Sequence, residues 1–162
     1  MTGKVTLCLE SPIGPLDVTL SAYAVHRIDF KGVAPAGPIP SSIAPLFKRV
    51  ASQLAEYFEG RRREFSLPLE AEPPGTDFQR IVWTALSEVP YGEVISYADL
   101  AAWAGRPTAV RAAAAACGAN RIPIVIPCHR VVAKRGLGGY AGGLKIKRAL
   151  LKLEQTQEPA QP

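Results

Sequence analysis

Histidine and cysteine are scarce in this chain: 162 residues hold two histidines, His26 and His129, and three cysteines, Cys8, Cys117 and Cys128. Three scattered cysteines cannot build a disulfide framework. With only two histidines beside them they show no zinc-ligand spacing, so no metal and no other cofactor is expected. No apolar run reaches the length of a membrane span, and Met1-Thr2-Gly3-Lys4-Val5 lacks the apolar core of a signal peptide. These absences predict a reduced, cytoplasmic protein without membrane association.

The composition that is present, 48% hydrophobic and 20% charged, is that of a folded protein long enough for one ordinary domain or two small ones. Its formal charge of +5 is unevenly spread. Residues 1–75 balance eight basic side chains against eight acidic, while the remainder carries eleven against six. A basic second half suits a polyanionic partner, a weak indication by itself. Arg61-Arg62-Arg63, flanked by Glu59 and Glu64, reads as a solvated helix end rather than a binding patch.

Alternation of Val5, Leu7 and Leu9 with Lys4, Thr6 and Cys8 predicts a half-buried strand with Cys8 as a bystander. Two more strands are expected over Leu16–Leu20 and Ala24–Phe30, giving an antiparallel meander. After a Pro- and Gly-rich loop, Ile43, Leu46, Phe47, Val50, Leu54, Tyr57 and Phe58 recur at helical spacing. Pro68, Pro73, Pro74 and Gly75 mark a linker, so the expected domains are 1–72 and 73–162.

The second half opens on Thr76-Asp77-Phe78-Gln79, a capping-box pattern, ahead of a helix with Phe78, Ile81, Val82, Ala85 and Leu86 inward. Ser96 is the expected N-cap of another helix with Leu100 and Trp103 inward. Gly105-Arg106-Pro107 breaks it before a third helix over 108–118, with Gly118 as its C-cap. Helix, short turn, helix is the outline of a helix-turn-helix. Its second helix, Val110-Arg111-Ala112-Ala113-Ala114-Ala115-Ala116-Cys117, is slim enough to approach a nucleic acid, although alanine is also simply the best helix former. The last helix, 144–154, is expected to bury Ile146, Ala149, Leu150 and Leu153.

Between these helices, Ile122–Pro127 forms an apolar, strand-like run that delivers Cys128, with His129 and Arg130 directly behind it. A thiol is a nucleophile when its thiolate is populated, which a neighbouring imidazole or cation favours. A cysteine hydrolase would need a histidine elsewhere in the fold and a third group to orient it. A cysteine phosphatase would need a glycine-rich anion cradle after the thiol, where this chain has His129-Arg130-Val131-Val132. A redox pair would need a second cysteine at short spacing. What remains is a single reactive thiol beside a helix-turn-helix, which suggests chemistry on DNA.

Pro127-Cys128-His129-Arg130-Val131, preceded by its Ile/Val-rich run, resembles the active-site motif of the O6-alkylguanine-DNA alkyltransferases, also called methylated-DNA–protein-cysteine methyltransferases. Gly75-Thr76-Asp77-Phe78-Gln79 with Val82-Trp83, Pro90-Tyr91-Gly92-Glu93 with Ser96-Tyr97, and Gly142-Gly143-Leu144 extend the likeness over 75–154. Ser11-Pro12-Ile13-Gly14-Pro15-Leu16 resembles the opening of many members. The resemblance implies an α+β chain: an N-terminal ribonuclease-H-like unit of small antiparallel sheet and helix, then a mostly helical, winged-helix-like domain with the helix-turn-helix. It implies a DNA-repair methyltransferase, a suicide enzyme acting by direct reversal. Binding duplex DNA from the minor groove as a monomer, it would flip out an O6-alkylguanine, such as O6-methylguanine, and move the alkyl group irreversibly to Cys128. O4-alkylthymine is a further substrate of this type. Flipping is required because the O6 substituent is out of a thiol's reach inside the base stack.

By the same resemblance, His129 would be the general base toward Cys128 through a water, oriented by Glu154, and Tyr97 the proton donor to the leaving base. Arg111 would fill the gap left by the flipped base, with Ala112 and Ala113 beside it against the DNA. Asn120 would be a hinge bonding the backbone around Cys128. The backbone at Cys128 and Val131 and the loop Tyr140, Ala141 and Gly142 would frame the base, and Arg130 would be structural. Ala114 replaces a glycine of many members, Ala141 a serine, and Arg121 a proline. The alternative is a lesion-binding alkyltransferase-like or winged-helix protein without transfer; such alkyltransferase-like proteins lack the cysteine that this chain carries.

Overall fold

In the computed structural model, which describes residues 3–35 and 37–156, the chain divides into two units, Met1–Pro73 and Pro74–Pro162. In the first, the period-two stretches form strands β1 (Val5–Leu9), β2 (Leu16–Leu20) and β3 (Val25–Asp29), an antiparallel sheet in that order. Leu7 pairs with Val18, and Val18 with Ile28, so one face carries Leu7, Leu16, Val18, Leu20 and Ile28 into the core. Helix α1 (Ala44–Phe58), started by a proline in its first turn, buries Leu46, Val50, Leu54 and Tyr57. Part of the proline-rich linker pairs with the sheet: Val25 N–H donates to Pro68 O at 2.8 Å and Glu70 N–H to Val25 O at 3.0 Å.

The second unit contains α2 (Asp77–Leu86), the two-residue strand β4 (Ile95–Ser96), α3 (Tyr97–Trp103), α4 (Val110–Gly118), a 3-10 turn over Cys128–Arg130, β5 (Val131–Val132) and α5 (Leu144–Thr156). Both expected N-caps are formed. Thr76 and Gln79 close one capping box, and Ser96 and Asp99 another. The core gathers Val82, Trp83, Leu86, Leu100, Ala101, Ala113, Ala116, Cys117, Cys128 and Val131.

Helix facing differs from expectation in three places. Ile81 is 49% exposed because Trp83, about half a turn away, points inward and donates its indole N–H to Ala116 O at 2.8 Å. Trp103 is 48% exposed, since α3 turns Leu100, Ala101 and Ala104 to the core. In α5 the buried stripe is Lys147, Leu150, Leu151 and Glu154, while Ala149 is exposed. Two charged side chains occupy that stripe, so a purely apolar reading places it one residue out of step. Gly118 is the last residue of α4, and Ala119 takes the cap position.

Ile122–Pro127 is a turn, not a strand. Asn120 clamps it by accepting Ile122 N–H at 3.0 Å and donating to Ile126 O at 2.8 Å, and Ile126 N–H reaches back to Ile122 O at 2.9 Å. Closing this loop forces the buried Ile124 to φ 75°, a conformation that costs a β-branched residue on the order of 1–2 kcal/mol. The parallel pairing of β4 with β5, Ile95 opposite Val131 and Ser96 opposite Val132, brings Tyr97 to the Cys128 turn.

Candidate active site

Cys128 opens the 3-10 turn at the end of the Asn120-clamped loop and is 6% exposed. It borders a cavity of about 480 Å³ whose wall also includes Tyr97, Ala114, Cys117, Asn120 and Tyr140. The neighbouring Cys117 thiol, whose Sγ lies 3.8 Å from the Cys128 carbonyl oxygen, pulls the Cys128 thiol below its ordinary range; burial opposes this, and the Asn120 amide and the Lys147 charge assist it. Cys117 is pushed up by the neighbouring Cys128 thiol and by burial. Of the two thiols, Cys128 is the one whose surroundings favour the charged form.

Behind the thiol lies a fully buried polar cluster. The His129 imidazole donates from Nε2 to Glu154 Oε2 at 2.6 Å. Arg130 grips the same carboxylate with two bonds, Nε to Oε1 at 2.8 Å and Nη2 to Oε2 at 3.1 Å, and anchors Nη1 on Val89 O at 2.7 Å. Gly92 N–H completes the shell on Oε1 at 3.3 Å. Burial by itself would raise the Glu154 carboxyl, but the hydrogen bonds and charges of His129 and Arg130 hold it at about 2. Burial pushes the His129 imidazolium below its ordinary range despite the carboxylate. His129 is therefore a neutral donor to Glu154 and Arg130 is the charge partner. That arrangement fixes the imidazole proton on Nε2 and leaves Nδ1, buried and with no hydrogen-bond partner among the described residues, as the basic nitrogen.

Tyr97 starts α3, half-buried. Burial, then the neighbouring Cys117, raise its phenol above the ordinary value, with a backbone hydrogen bond from Gly139 opposing, so the O–H stays protonated at neutral pH. The loop beside it is held by Lys147, whose fully buried ammonium donates to Val131 O at 2.7 Å, to Gly139 O at 3.0 Å and to Leu137 O. Burial lowers the Lys147 ammonium from its ordinary range.

The remaining sequence-derived residues divide clearly. Asn120, Tyr140 and Ala141 border the cavity with Cys128 and Tyr97. Val131 is buried with its carbonyl engaged by Lys147, and Gly142 follows Ala141 in the loop. Arg111 and Ala112 are exposed on α4, outside the cavity wall. Ala113 corrects the expectation: it is fully buried in the core, and Ala114 and Ala115 line the cavity instead. The helical period carries Ala113 and Ala116 inward together. Sequence reasoning passed over Lys147 and Cys117. Lys147 had a signal, since it lies seven residues before Glu154 on one helix face.

A helix-turn-helix unit with an ionisable, buried cysteine at the wall of a cavity, backed by a histidine–carboxylate pair, defines a DNA-directed thiol protein in outline. A family model described as 6-O-methylguanine DNA methyltransferase, DNA binding domain, matches residues 77–156, and the ribonuclease-like domain of the same enzyme matches residues 5–71. A methylated-DNA–protein-cysteine methyltransferase of Methanosarcina barkeri is 44% identical over 152 residues, covering 91% of this chain and 95% of its own. The crystal structure of the Mycobacterium tuberculosis O6-methylguanine methyltransferase superposes with a TM-score of 0.82 at 38% identity, covering 99% and 97% of the two chains. The M. tuberculosis protein solved in complex with DNA gives 0.81 at 39% identity over 94% of each. The chain belongs to the 6-O-methylguanine DNA methyltransferase family, the methylated-DNA–protein-cysteine methyltransferases of DNA repair. Its α+β architecture, a three-stranded sheet unit followed by a helical DNA-binding unit, is the family's. Among the described residues no helix is long and apolar enough to cross a membrane.

Proposed function

We propose that Cys128 takes the alkyl group from O6-alkylguanine in duplex DNA, once per molecule, and so restores guanine directly. The observation that carries this reading is the Cys128 thiol itself, favoured as thiolate at the wall of a cavity of about 480 Å³ that also borders α4. The sulfur lone pair forms an S–C bond as the C–O6 bond breaks. The released electron pair moves into the purine, which takes up a proton. Tyr97, protonated and on the same wall, donates toward the base as that charge develops. His129 Nδ1 receives the thiol proton through one water, with Nε2 held by Glu154.

The product thioether is stable, so the protein acts stoichiometrically and needs no cofactor. O4-alkylthymine presents the same kind of alkoxy carbon and is a second substrate. The base reaches the cavity flipped from the stack, with α4 in the minor groove, Arg111 filling the gap, Ala112 and Ala114 against the duplex, and Tyr140, Ala141 and Gly142 around the base. In this reading residues 1–72 are a structural domain, residues 73–162 carry recognition and transfer, and the protein works as a monomer in the reducing cytoplasm.

The test is intact mass and peptide mapping after incubation with an O6-methylguanine duplex. The expected result is the mass of one CH2 gained at Cys128, with one equivalent consumed and none by Cys128→Ala. Transfer that survives in Cys128→Ala, or label found on Cys8 or Cys117, overturns the assignment.

A further inference from the structure

The transfer mechanism uses only the buried face of α5, through Glu154, and gives its outer face no role. On that face Lys145, Arg148 and Lys152 are all exposed. At about 100° per residue they fall within an arc of about 60°, one stripe along the helix. Glu154, the only acidic residue of α5, is buried. Among the described residues none of the three cations has a carboxylate partner, whereas Lys4, Arg27, Arg61 and Arg62 of the first unit each have one. We propose that this stripe is a second DNA-contact surface, which takes the phosphate backbone of a separate duplex segment while α4 holds the first.

Helix stability does not account for the stripe. Lys145 lies in the first turn, where the helix macrodipole disfavours a cation. A face kept only for solubility ordinarily mixes both signs, and this one carries a single sign. Its dimensions suit a DNA strand. From Lys145 to Lys152 the helix rises about 10 Å, at roughly 1.5 Å per residue. One strand of a duplex presents a phosphate about every 3.4 Å along the axis, so the three cations can meet about three successive phosphates.

The inner face of α5 fixes where the stripe points. Glu154 is bonded to His129 and Arg130, and Lys147 to the Val131 carbonyl, so α5 lies behind the Cys128 turn. The cavity wall is made by α3, α4, the Cys128 turn and the Tyr140 loop, and includes no residue of α5. The stripe, on the other side of the helix, therefore faces away from a duplex whose flipped base fills that cavity. Reaching it with the same segment would require sharply bent DNA, which is costly, whereas a second segment meets it directly. Holding two segments at once lets the protein pass between them without dissociating, which suits a search for rare lesions. The proposal rests on the reading that places α4 against the damaged duplex.

The experiment follows release of the full chain from a fluorescent undamaged duplex by stopped flow, with unlabelled duplex added at increasing concentration. Wild type is compared with Lys145→Gln/Arg148→Gln/Lys152→Gln and with a charge-matched control, Lys31→Gln/Lys48→Gln/Arg61→Gln; thermal melting verifies folding. Direct handover makes the wild-type release rate rise with competitor, on the order of fivefold by about 100 µM, within the range of non-specific affinities. The rise should vanish in the α5 variant and persist in the control. Salt should weaken it with a log–log slope of about −2.7, three phosphates at roughly 0.9 each. A wild-type release rate independent of competitor overturns the proposal, as does an α5 variant that accelerates like wild type. Poly-glutamate that accelerates release as strongly as duplex assigns the stripe to an acidic protein and overturns it too. Transfer from an O6-methylguanine duplex, measured in parallel, should proceed at the wild-type rate in the α5 variant. Its absence in wild type sinks the functional reading, whereas transfer to Cys128 with competitor-independent release sinks only the second surface.

Discussion

Replacing Glu154 by glutamine keeps the shape of the buried cluster and removes its negative charge. The carboxyl, ordinarily near 4.5, is held at about 2 in the fold. With each pKa unit worth about 1.4 kcal/mol, that depression corresponds to roughly 3 kcal/mol of stability at neutral pH. His129 is itself neutral and contributes a hydrogen bond rather than a charge, so the share resting on Arg130 is nearer 2 kcal/mol. Opposing any relief is the cost of leaving a buried guanidinium without its carboxylate, on the order of 3 kcal/mol. Glu154→Gln is therefore expected to lose about 3 kcal/mol and to melt on the order of 10 °C lower.

The sign of the pH dependence follows from the direction of the shift. A carboxyl whose folded pKa is depressed contributes fully above its unfolded value and loses that contribution as pH falls through the folded one. Glutamine does not titrate. The gap between wild type and Glu154→Gln should be widest above about pH 5 and should shrink between 4.5 and about 2. Urea unfolding of both proteins at pH 7, 5, 4 and 3 measures it. A gap independent of pH, or one below about 1 kcal/mol at pH 7, would refute the buried-charge account.

Lys147→Met leaves the carbonyls of Val131, Leu137 and Gly139 without their shared donor; a loss of about 3 kcal/mol is expected, with faster amide exchange across residues 131–139, and unchanged exchange there would contradict the clasp. Gly138→Ala places a Cβ 2.7 Å from the Tyr97 hydroxyl oxygen at φ +73°. Because Tyr97 must yield, transfer should slow by about tenfold while affinity for undamaged duplex, read by gel shift, is unaffected; transfer within twofold of wild type would remove Tyr97 from the mechanism.

Several parts of this protein were legible in the residues themselves. Three alternating stretches specified the meander, because a two-residue period is a direct consequence of strand geometry. Thr76 with Gln79, and Ser96 with the helix after it, announced helix starts that local hydrogen bonds then made. Cys128-His129-Arg130 with its apolar lead identified the family and supplied the candidate nucleophile. Glu154 was reached through the family likeness alone, since a late-helix glutamate otherwise reads as surface charge.

What the tertiary structure decided is the environment of those residues. Only packing could reveal that Lys147 and Glu154 face inward, because their burial depends on partners 16 and 24 residues distant in the chain, Val131 and Arg130 among them. Only the turn closed by Asn120 converts the apolar run, which by composition reads as a strand, into a loop with a left-handed isoleucine. Cys117 and Cys128, eleven residues apart, are brought within 3.8 Å, Sγ to carbonyl oxygen, through the meeting of α4 with the 3-10 turn. Sequence alone determined that a cysteine with a histidine behind it would follow the apolar run; the burial of that thiol and the donors brought to it from distant segments required the fold.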